Sequence, residues 1–129
     1  QIQQIQSLGT APEPKELDVQ DYEPITDPAN VKRYLADYFS DIPLLAAIGA
    51  CESHNRQVLP SGNVVRGEVN HYDVGVMQIN EFYHLDISKK INMDIYTLEG
   101  NLEYAKLIYD KYGMKPWSAS QKCCGKHVA

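Results

Sequence analysis

Residues 41–54 have the sequence DIPLLAAIGACESH, which predicts a helix that begins near Pro43 and runs to the end of the stretch. Leu45, Ile48 and Glu52 share one face of that helix, at i, i+3 and i+7 spacing. Glutamate is rare on an apolar helix face, because a charged side chain loses its hydration there. Glu52 is therefore the first candidate for a functional residue.

A glutamate on the buried side of a helix has a specific chemical use. Desolvation disfavours the charged carboxylate and raises its pKa, so that the group keeps its proton closer to neutral pH. A protonated carboxyl can donate that proton to the oxygen of a glycosidic bond. The alternative is that Glu52 lies at the helix end, where it meets solvent or pairs with Arg56.

The composition is that of a single globular domain. The chain has 129 residues, which is enough for one core and too few for two. Hydrophobic residues make up 43% and charged residues 22%, as in ordinary globular proteins. The net charge of -5 argues against nucleic acid as a partner. Apolar runs stay below the roughly 18 residues that a membrane helix needs, so we expect no integral membrane segment.

The N-terminal part differs in composition from the rest. Residues 1–28 are predicted to be a flexible linker, because they combine several prolines with no sustained hydrophobic period. Residues 29–129 are predicted to form the folded domain. Its class is α+β and mostly α, with one small β-hairpin element after the second helix. Val64, Val65 and Val69 are expected to form that hairpin, because turn-forming residues surround them.

Three more helices are predicted from capping residues and hydrophobic spacing. The first spans residues 31–39. The second spans about residues 81–90, with Asn80 as its cap. The third spans residues 98–112 and is followed by Gly113, which suits the positive φ often found after a helix C-terminus.

Three segments of the chain together resemble the lysozyme-like superfamily. Residues 51–57, CESHNRQ, resemble the Glu-Ser element of soluble lytic transglycosylases and of c-type lysozymes. Residues 74–80, VGVMQIN, resemble the Gly-Leu-Met-Gln element of the transglycosylases, and with Asp73 in front they are similar to the Asp-x-Gly-x-x-Gln-Ile-Asn run of c-type lysozymes. Residues 104–123 resemble the late helix and the Gly-Met-x-x-Trp-x-Ala stretch of c-type lysozymes. The segments follow the family's order and cover about residues 42–123.

The resemblance implies a lysozyme-like fold and gives roles to individual residues. Glu52 matches the catalytic acid of the family, and Trp117 matches the tryptophan whose indole packs against that acid. Gln78 matches a cleft-lining position, and Ser53 matches a hydroxyl beside the acid. The residues expected to bind substrate, either by this match or as sugar-contacting side chains, are Ser53, Gln78, Asn80, Tyr83, Tyr104 and Trp117.

Asp73 separates two mechanisms, unless it only caps a turn. In c-type lysozymes the matching carboxylate is the nucleophile or electrostatic stabiliser of a retaining hydrolysis. In lytic transglycosylases the substrate's own N-acetyl group assists, and a 1,6-anhydro sugar results. The resemblance implies a muramidase that cuts the β-1,4 bond between N-acetylmuramic acid and N-acetylglucosamine, with Asp73 assisting. The alternatives are a lytic transglycosylase with Glu52 alone, a non-catalytic glycan-binding relative and a chitinase-like hydrolase.

The remaining expectations concern partners, cysteines and location. Peptidoglycan glycan strands are the expected partner, a monomer is expected, and the spacing of histidines and cysteines predicts no metal or other cofactor. Cys51 can form a disulfide with Cys123 or Cys124, or all three thiols can be reduced. We expect the protein outside the cytoplasm (secreted, periplasmic or wall-associated), and an anchoring segment ahead of Gln1 is left open.

Overall fold

The computed structural model describes residues 16–120 of the chain. In chain order its elements are a 3-10 helix Val19–Tyr22, α1 Pro28–Tyr38, α2 Pro43–Ser53, β1 Asp73–Val74, β2 Ile79–Asn80, α3 Glu81–Lys90, α4 Leu98–Tyr112 and a second 3-10 helix Lys115–Trp117. Helices thus dominate this part of the chain, and the strands form one small antiparallel pair. The predicted class, α+β and mostly α, is confirmed.

Helix α2 forms where the opening stretch predicts it. Pro43 occupies its first turn, and His54 follows its last residue in a left-handed conformation, with φ 58. Leu45 and Ile48 are fully buried. The same helical face therefore carries Glu52 at the edge of the core, where its side chain is half-buried.

Gly49 allows α2 to lie close to α1. A Cβ atom built on Gly49 would lie 2.3 Å from Cδ2 of Leu35 in α1 and 3.3 Å from Cγ2 of Val76. Carbon atoms in contact normally stay about 3.5–4.0 Å apart, so a larger residue here would require the buried Leu35 side chain or the helix to shift. The present packing of α2 on α1 therefore uses the absence of a side chain at position 49.

Helix α1 begins earlier than the hydrophobic spacing predicts. Pro28 is its first residue, and the carboxylate of Asp27 accepts a hydrogen bond from the backbone N–H of Ala29. The prediction began at Val31, because hydrophobic spacing marks the buried face and not the cap. An aspartate followed by proline is the stronger start signal, since both residues satisfy the special geometry of the first turn.

The predicted linker over residues 1–28 is wrong for the part that the structure describes. Tyr22 is buried, its ring meets that of Tyr34 edge to face with centroids 4.9 Å apart, and its hydroxyl donates to Asp37 at 2.5 Å. The proline at position 24 takes part in a turn, because its carbonyl accepts the side-chain amide of Asn30 at 3.0 Å. Residues 1–15 lie outside the described residues.

The small sheet differs from the predicted hairpin. In the ladder, Asp73 lies opposite Asn80, and Val74 lies opposite Ile79. Val64 makes an isolated bridge to Val58, whereas Val69 is fully exposed. A short valine-rich stretch predicts strand structure but not the partner strand, because pairing depends on residues distant in the chain.

Helices α3 and α4 agree with their predicted bounds. Asn80 caps α3 by accepting a hydrogen bond from the backbone N–H of Tyr83 at 3.1 Å. Thr97 caps α4 in the same way, and Gly113 follows α4 with φ 66. Tyr112, in the last turn of α4, is exposed.

The contact at Gly49 gives a stability prediction. Gly49→Ala should lower the free energy of unfolding by about 1–2 kcal/mol, because overpacking costs about 1–3 kcal/mol and the better helix propensity of alanine returns at most about 1 kcal/mol. Urea denaturation measures the change. Ala50→Gly in the same helix is the control for propensity alone. A Gly49→Ala protein more stable than the wild type would show that α2 does not need this close approach.

Candidate active site

The site is organised around a buried peptide, residues 74–77, that begins with the last residue of β1 and leads toward β2. The carbonyl of Val76 accepts a hydrogen bond from the hydroxyl of Ser53 at 2.9 Å. The carbonyl of Met77 accepts one from the indole N–H of Trp117 at 3.0 Å. Both acceptors are thus satisfied by side chains from outside the peptide, which matters because an unpaired buried carbonyl is costly.

Two buried side-chain amides satisfy the N–H groups of the same peptide. Oε1 of Gln57 accepts from the N–H of Val76 at 2.9 Å, and Oδ1 of Asn101 accepts from the N–H of Met77 at 3.0 Å. The amide nitrogens of both side chains donate to the carbonyl of Ile95. The buried peptide is therefore joined to the α2 end, to α4 and to the loop before α4.

Gly75 is the residue that lets the two amides come this close. It has φ 76, a conformation that favours glycine. A Cβ built on it would lie 2.3 Å from the amide nitrogen of Asn101 and 2.8 Å from that of Gln57. Its own N–H donates to the carbonyl of Val65 at 2.8 Å, so the turn is held on both sides.

Ser53 connects the buried peptide to the candidate acid. It follows Glu52 directly in α2, and besides the Val76 carbonyl its hydroxyl contacts the carbonyl of Gly49 at 3.1 Å and accepts from the N–H of Arg56 at 3.1 Å. The side chain is buried and fully engaged within the protein. The prediction that Ser53 binds substrate is therefore corrected: the residue positions the end of α2.

Glu52 combines burial with one strong hydrogen bond. The hydroxyl of Ser120 donates to Oε2 of Glu52 at 2.5 Å. Burial raises the pKa of the Glu52 carboxyl, the hydrogen bond from Ser120 opposes this, and the negative charge of Asp73 raises the pKa further. A carboxyl in this setting holds its proton at a higher pH than an exposed glutamate.

Asp73 lies at the start of β1, and its carboxylate is held by β2. The side-chain amide of Asn80 donates to Oδ1 of Asp73 at 3.0 Å, and the backbone N–H of Gly67 donates to its carbonyl at 2.8 Å. Oδ2 has no hydrogen-bond partner within residues 16–120. Since Asp73 influences the pKa of Glu52, the structure brings the two predicted carboxyl groups within electrostatic range.

An ion pair braces the loop that carries Asp73. The Arg66 guanidinium contacts both carboxylate oxygens of Glu81, at 2.6 and 3.4 Å, and donates to the carbonyl of His71 at 3.0 Å. The hydroxyl of Tyr96 donates to the same carboxylate at 2.5 Å. The hydrogen bond from Arg66 lowers the pKa of Glu81 below its usual range, and that from Tyr96 adds to the effect. Glu81 thus stays charged, and the loop stays attached to the start of α3.

Two predicted substrate contacts act as internal supports. Gln78 has φ 54, its side-chain amide donates to the carbonyl of Gly75 at 2.9 Å, and its side chain is half-buried. Asn80 uses its oxygen to cap α3 and its nitrogen to hold Asp73. The sequence places both residues near the site, whereas their hydrogen bonds show that they fix the shape of the turn and the position of the second carboxylate.

Tyr104 is buried, so its predicted contact with sugar is corrected. Its hydroxyl lies 2.9 Å from Nδ1 of His84, and the two rings meet edge to face. Burial lowers the pKa of His84, which keeps this imidazole neutral over a wider pH range. The pair joins α3 to α4 beneath the surface.

Tyr83 belongs to an exposed aromatic cluster that we define as Tyr72, Phe82 and Tyr83. Their exposed fractions are 53%, 70% and 72%, and neighbouring ring centroids lie 5.6 and 5.2 Å apart. Tyr72 immediately precedes Asp73, and the other two follow β2. The cluster therefore flanks the strand pair that carries the second carboxylate. Sequence reasoning missed Phe82, although its position beside Tyr83 was a signal.

Trp117 is buried, as a residue packed beside the acid would be. Contact between its indole and Glu52 stays a prediction, because the structure shows instead the bond from Trp117 to Met77. Ser120, three residues later in helical backbone, is the residue of this segment that reaches Glu52. Sequence reasoning missed Ser120, whose i+3 spacing from Trp117 was the available signal.

Cys51 is disulfide-bonded. The predicted partners, Cys123 and Cys124, both lie outside the described residues, so the choice between them stays open. Within residues 16–120 no group of three or more histidine, cysteine or acidic side chains could hold a metal ion. In the same part of the chain, every helix is too short or too polar to cross a membrane.

Comparisons with protein-family models, with curated proteins and with solved structures found no match. Function therefore has to be inferred from the chemistry of the site. The site has two carboxyl groups, the half-buried Glu52 and the hydrogen-bonded Asp73. It also has the buried peptide to which the residues around them are bonded, and the exposed aromatic cluster next to Asp73.

The buried amides give a second prediction. Asn101→Ala should lower the free energy of unfolding by about 3–5 kcal/mol, because it leaves more than one buried backbone group unpaired at about 1–3 kcal/mol each. The groups concerned are the N–H of Met77 and the carbonyl of Val74, whereas the carbonyl of Ile95 keeps its hydrogen bond from Gln57. Asn63→Ala, at an exposed loop position, is the matched control and should change stability by less than about 0.5 kcal/mol. Equal urea midpoints for the two variants would contradict this account of the buried peptide.

Proposed function

We propose that the protein is a muramidase that cleaves the β-1,4 bond between N-acetylmuramic acid and N-acetylglucosamine in peptidoglycan. The observation that carries the proposal is Glu52, a half-buried carboxyl whose pKa is raised by burial and by the charge of Asp73. A general acid needs a proton to give at the working pH, and this environment provides it. The chain would accordingly have a lysozyme-like fold, as the resemblance of its three segments implies.

The two carboxyl groups divide the reaction between them. Glu52 donates its proton to the glycosidic oxygen as the bond to the anomeric carbon breaks, and the leaving sugar departs with that oxygen. The carboxylate of Asp73 stabilises the positive charge that develops at the anomeric carbon, or adds to it. Glu52, now charged, then removes a proton from the water that completes the hydrolysis.

The surface beside Asp73 supports a glycan as substrate. The rings of Tyr72, Phe82 and Tyr83 offer apolar faces on which sugar rings can stack, and large exposed aromatic clusters are unusual without a partner. The net charge of -5 excludes long-range attraction to an anionic wall. Binding would thus come from short-range contacts in a shaped cleft.

The disulfide at Cys51 supports a location outside the cytoplasm. Disulfides persist in oxidising compartments and are rare in the cytosol. Cys51 directly precedes Glu52 in α2, so the bond also anchors the helix end that carries the acid. A wall-cleaving enzyme has its substrate in that same compartment.

A lytic transglycosylase is the second candidate, and the environment of Asp73 favours it. Oδ1 of Asp73 already accepts a hydrogen bond from Asn80, which weakens this carboxylate as a nucleophile. In that mechanism Glu52 acts as the only acid and base, and the N-acetyl group of the substrate attacks the anomeric carbon. The product then carries a 1,6-anhydro end in place of a reducing end.

The role of Glu52 as the acid is tested by Glu52→Gln, which keeps the size of the side chain but removes the acidic proton of the carboxyl. Clearing of a suspension of purified cell walls should slow by about 10²–10⁴-fold or more, because general acid–base groups contribute about this much. Glu68→Gln, at an exposed loop position, is the matched control and should clear the suspension at the wild-type rate. Activity of Glu52→Gln within a few-fold of wild type would exclude Glu52 as the acid, and an inactive wild type would favour the non-catalytic relative.

The role of Asp73 is tested by Asp73→Asn, with two readouts. The charge of Asp73 raises the pKa of Glu52, so its removal should lower that pKa and move the basic limb of the pH–rate profile toward acid. In the muramidase, hydrolysis should also slow by orders of magnitude. Unchanged rates with 1,6-anhydro products from both proteins would establish the transglycosylase instead.

A further inference from the structure

The two oxygens of the Glu52 carboxyl have different surroundings. Oε2 accepts the hydrogen bond from Ser120 at 2.5 Å, a length typical of a hydroxyl bound to a charged carboxylate. Within residues 16–120, Oε1 has no hydrogen-bond partner. Among the described residues, the carboxyl is therefore held at one oxygen only.

Ser120 is placed by the same buried peptide that places Glu52. The indole of Trp117 is bonded to the carbonyl of Met77, and Ser120 follows Trp117 by three residues in helical backbone, which puts both side chains on one face. On the other side, Ser53 is bonded to the carbonyl of Val76. Two neighbouring carbonyls thus fix the donor and the acceptor of the Ser120–Glu52 bond independently.

We propose that Ser120 is the positioning residue of the acid: its hydroxyl holds Oε2 of Glu52 and directs the transferable proton to Oε1. The proposal rests on the function proposed above, in which Glu52 protonates the glycosidic oxygen. Ser120 acts on the substrate through Glu52, the residue to which its hydroxyl is bonded.

The chemistry follows from where negative charge develops. Before reaction the proton resides on Oε1, because the unprotonated oxygen of a carboxyl is the better acceptor and Oε2 is the oxygen that accepts from Ser120. As that proton moves to the glycosidic oxygen, the electron pair of the breaking C–O bond goes to the leaving sugar and negative charge spreads over both carboxyl oxygens. The hydrogen bond from Ser120 becomes stronger with this charge, so it stabilises the transition state more than the ground state.

Three influences act on the protonation of Glu52 in the described part of the chain. Burial within the end of α2 and the charge of Asp73 from β1 raise its pKa, and the hydrogen bond from Ser120 opposes them. Asp73 is the charged group facing Glu52 among the described residues. Loss of the serine hydroxyl should thus leave a carboxyl that holds its proton to higher pH and releases it less readily.

The protonation is measured directly by ¹³C NMR titration of the Glu52 side-chain carboxyl in the intact chain. Ser120→Ala should raise its midpoint by about half a unit to one unit, because a hydrogen bond to the charged form is removed. Ser120→Thr keeps a hydroxyl and should restore the wild-type midpoint. Ser118→Ala, at an exposed position of the same turn, is the control and should leave the midpoint unchanged. A Ser120→Ala midpoint equal to wild type would overturn the proposal.

Kinetics on cell-wall glycan then separate positioning from binding. Ser120→Ala should lower kcat by about tenfold with little change in KM, since the missing bond matters most in the transition state. Ser120→Thr should recover most of this loss. A shifted midpoint in a protein without wall-cleaving activity would support Ser120 and refute the muramidase. If the protein is an active muramidase and Ser120→Ala changes neither the titration midpoint of Glu52 nor kcat, the result would refute this inference and leave the proposed function standing.

Discussion

The peptide over residues 74–77 is buried without a strand partner for most of its length, so its polar groups must find side chains. They come from three parts of the chain: the end of α2 and the residues just after it, the first turn of α4, and the segment after α4. The side chains are those of Ser53, Gln57, Asn101 and Trp117. Loss of any one of these bonds should lower the free energy of unfolding, because an unpaired buried amide or carbonyl costs about 1–3 kcal/mol. One short peptide therefore fixes the end of α2, the first turn of α4 and the segment after α4 relative to one another.

The same constraint positions the residues of the proposed site. Ser53 adjoins Glu52, and Trp117 precedes Ser120 by three residues. Glu52 and the hydroxyl bonded to it are therefore both anchored on neighbouring carbonyls of the buried peptide. Asp73 is the residue directly before that peptide, so its position is fixed by the same contacts. A rigid arrangement of this kind favours general acid catalysis, because the proton donor needs no rearrangement when the bond breaks.

Local signals predicted the helices well, and contacts between distant residues escaped prediction. Caps and hydrophobic spacing found α2, α3 and α4, since these signals lie within a few residues of each helix. Tyr22 was assigned to a linker because its burial depends on rings that the sequence does not show to be adjacent. For the site, the helix face identified Glu52 and the resemblance added Asp73, but Asn101 and Ser120 act through hydrogen bonds across the fold. A polar residue has no pattern that distinguishes a buried partner from an exposed side chain.

The central claim is that the acid acts on one specific bond, and uncross-linked glycan strands of alternating N-acetylglucosamine and N-acetylmuramic acid test it most directly. Incubation with the protein, followed by mass spectrometry, identifies the sugar at each new end. The account predicts N-acetylmuramic acid at the new reducing end of every fragment or, for the second candidate, its 1,6-anhydro form at that end. N-acetylglucosamine at the new reducing ends, or intact strands after incubation with folded protein, would contradict it.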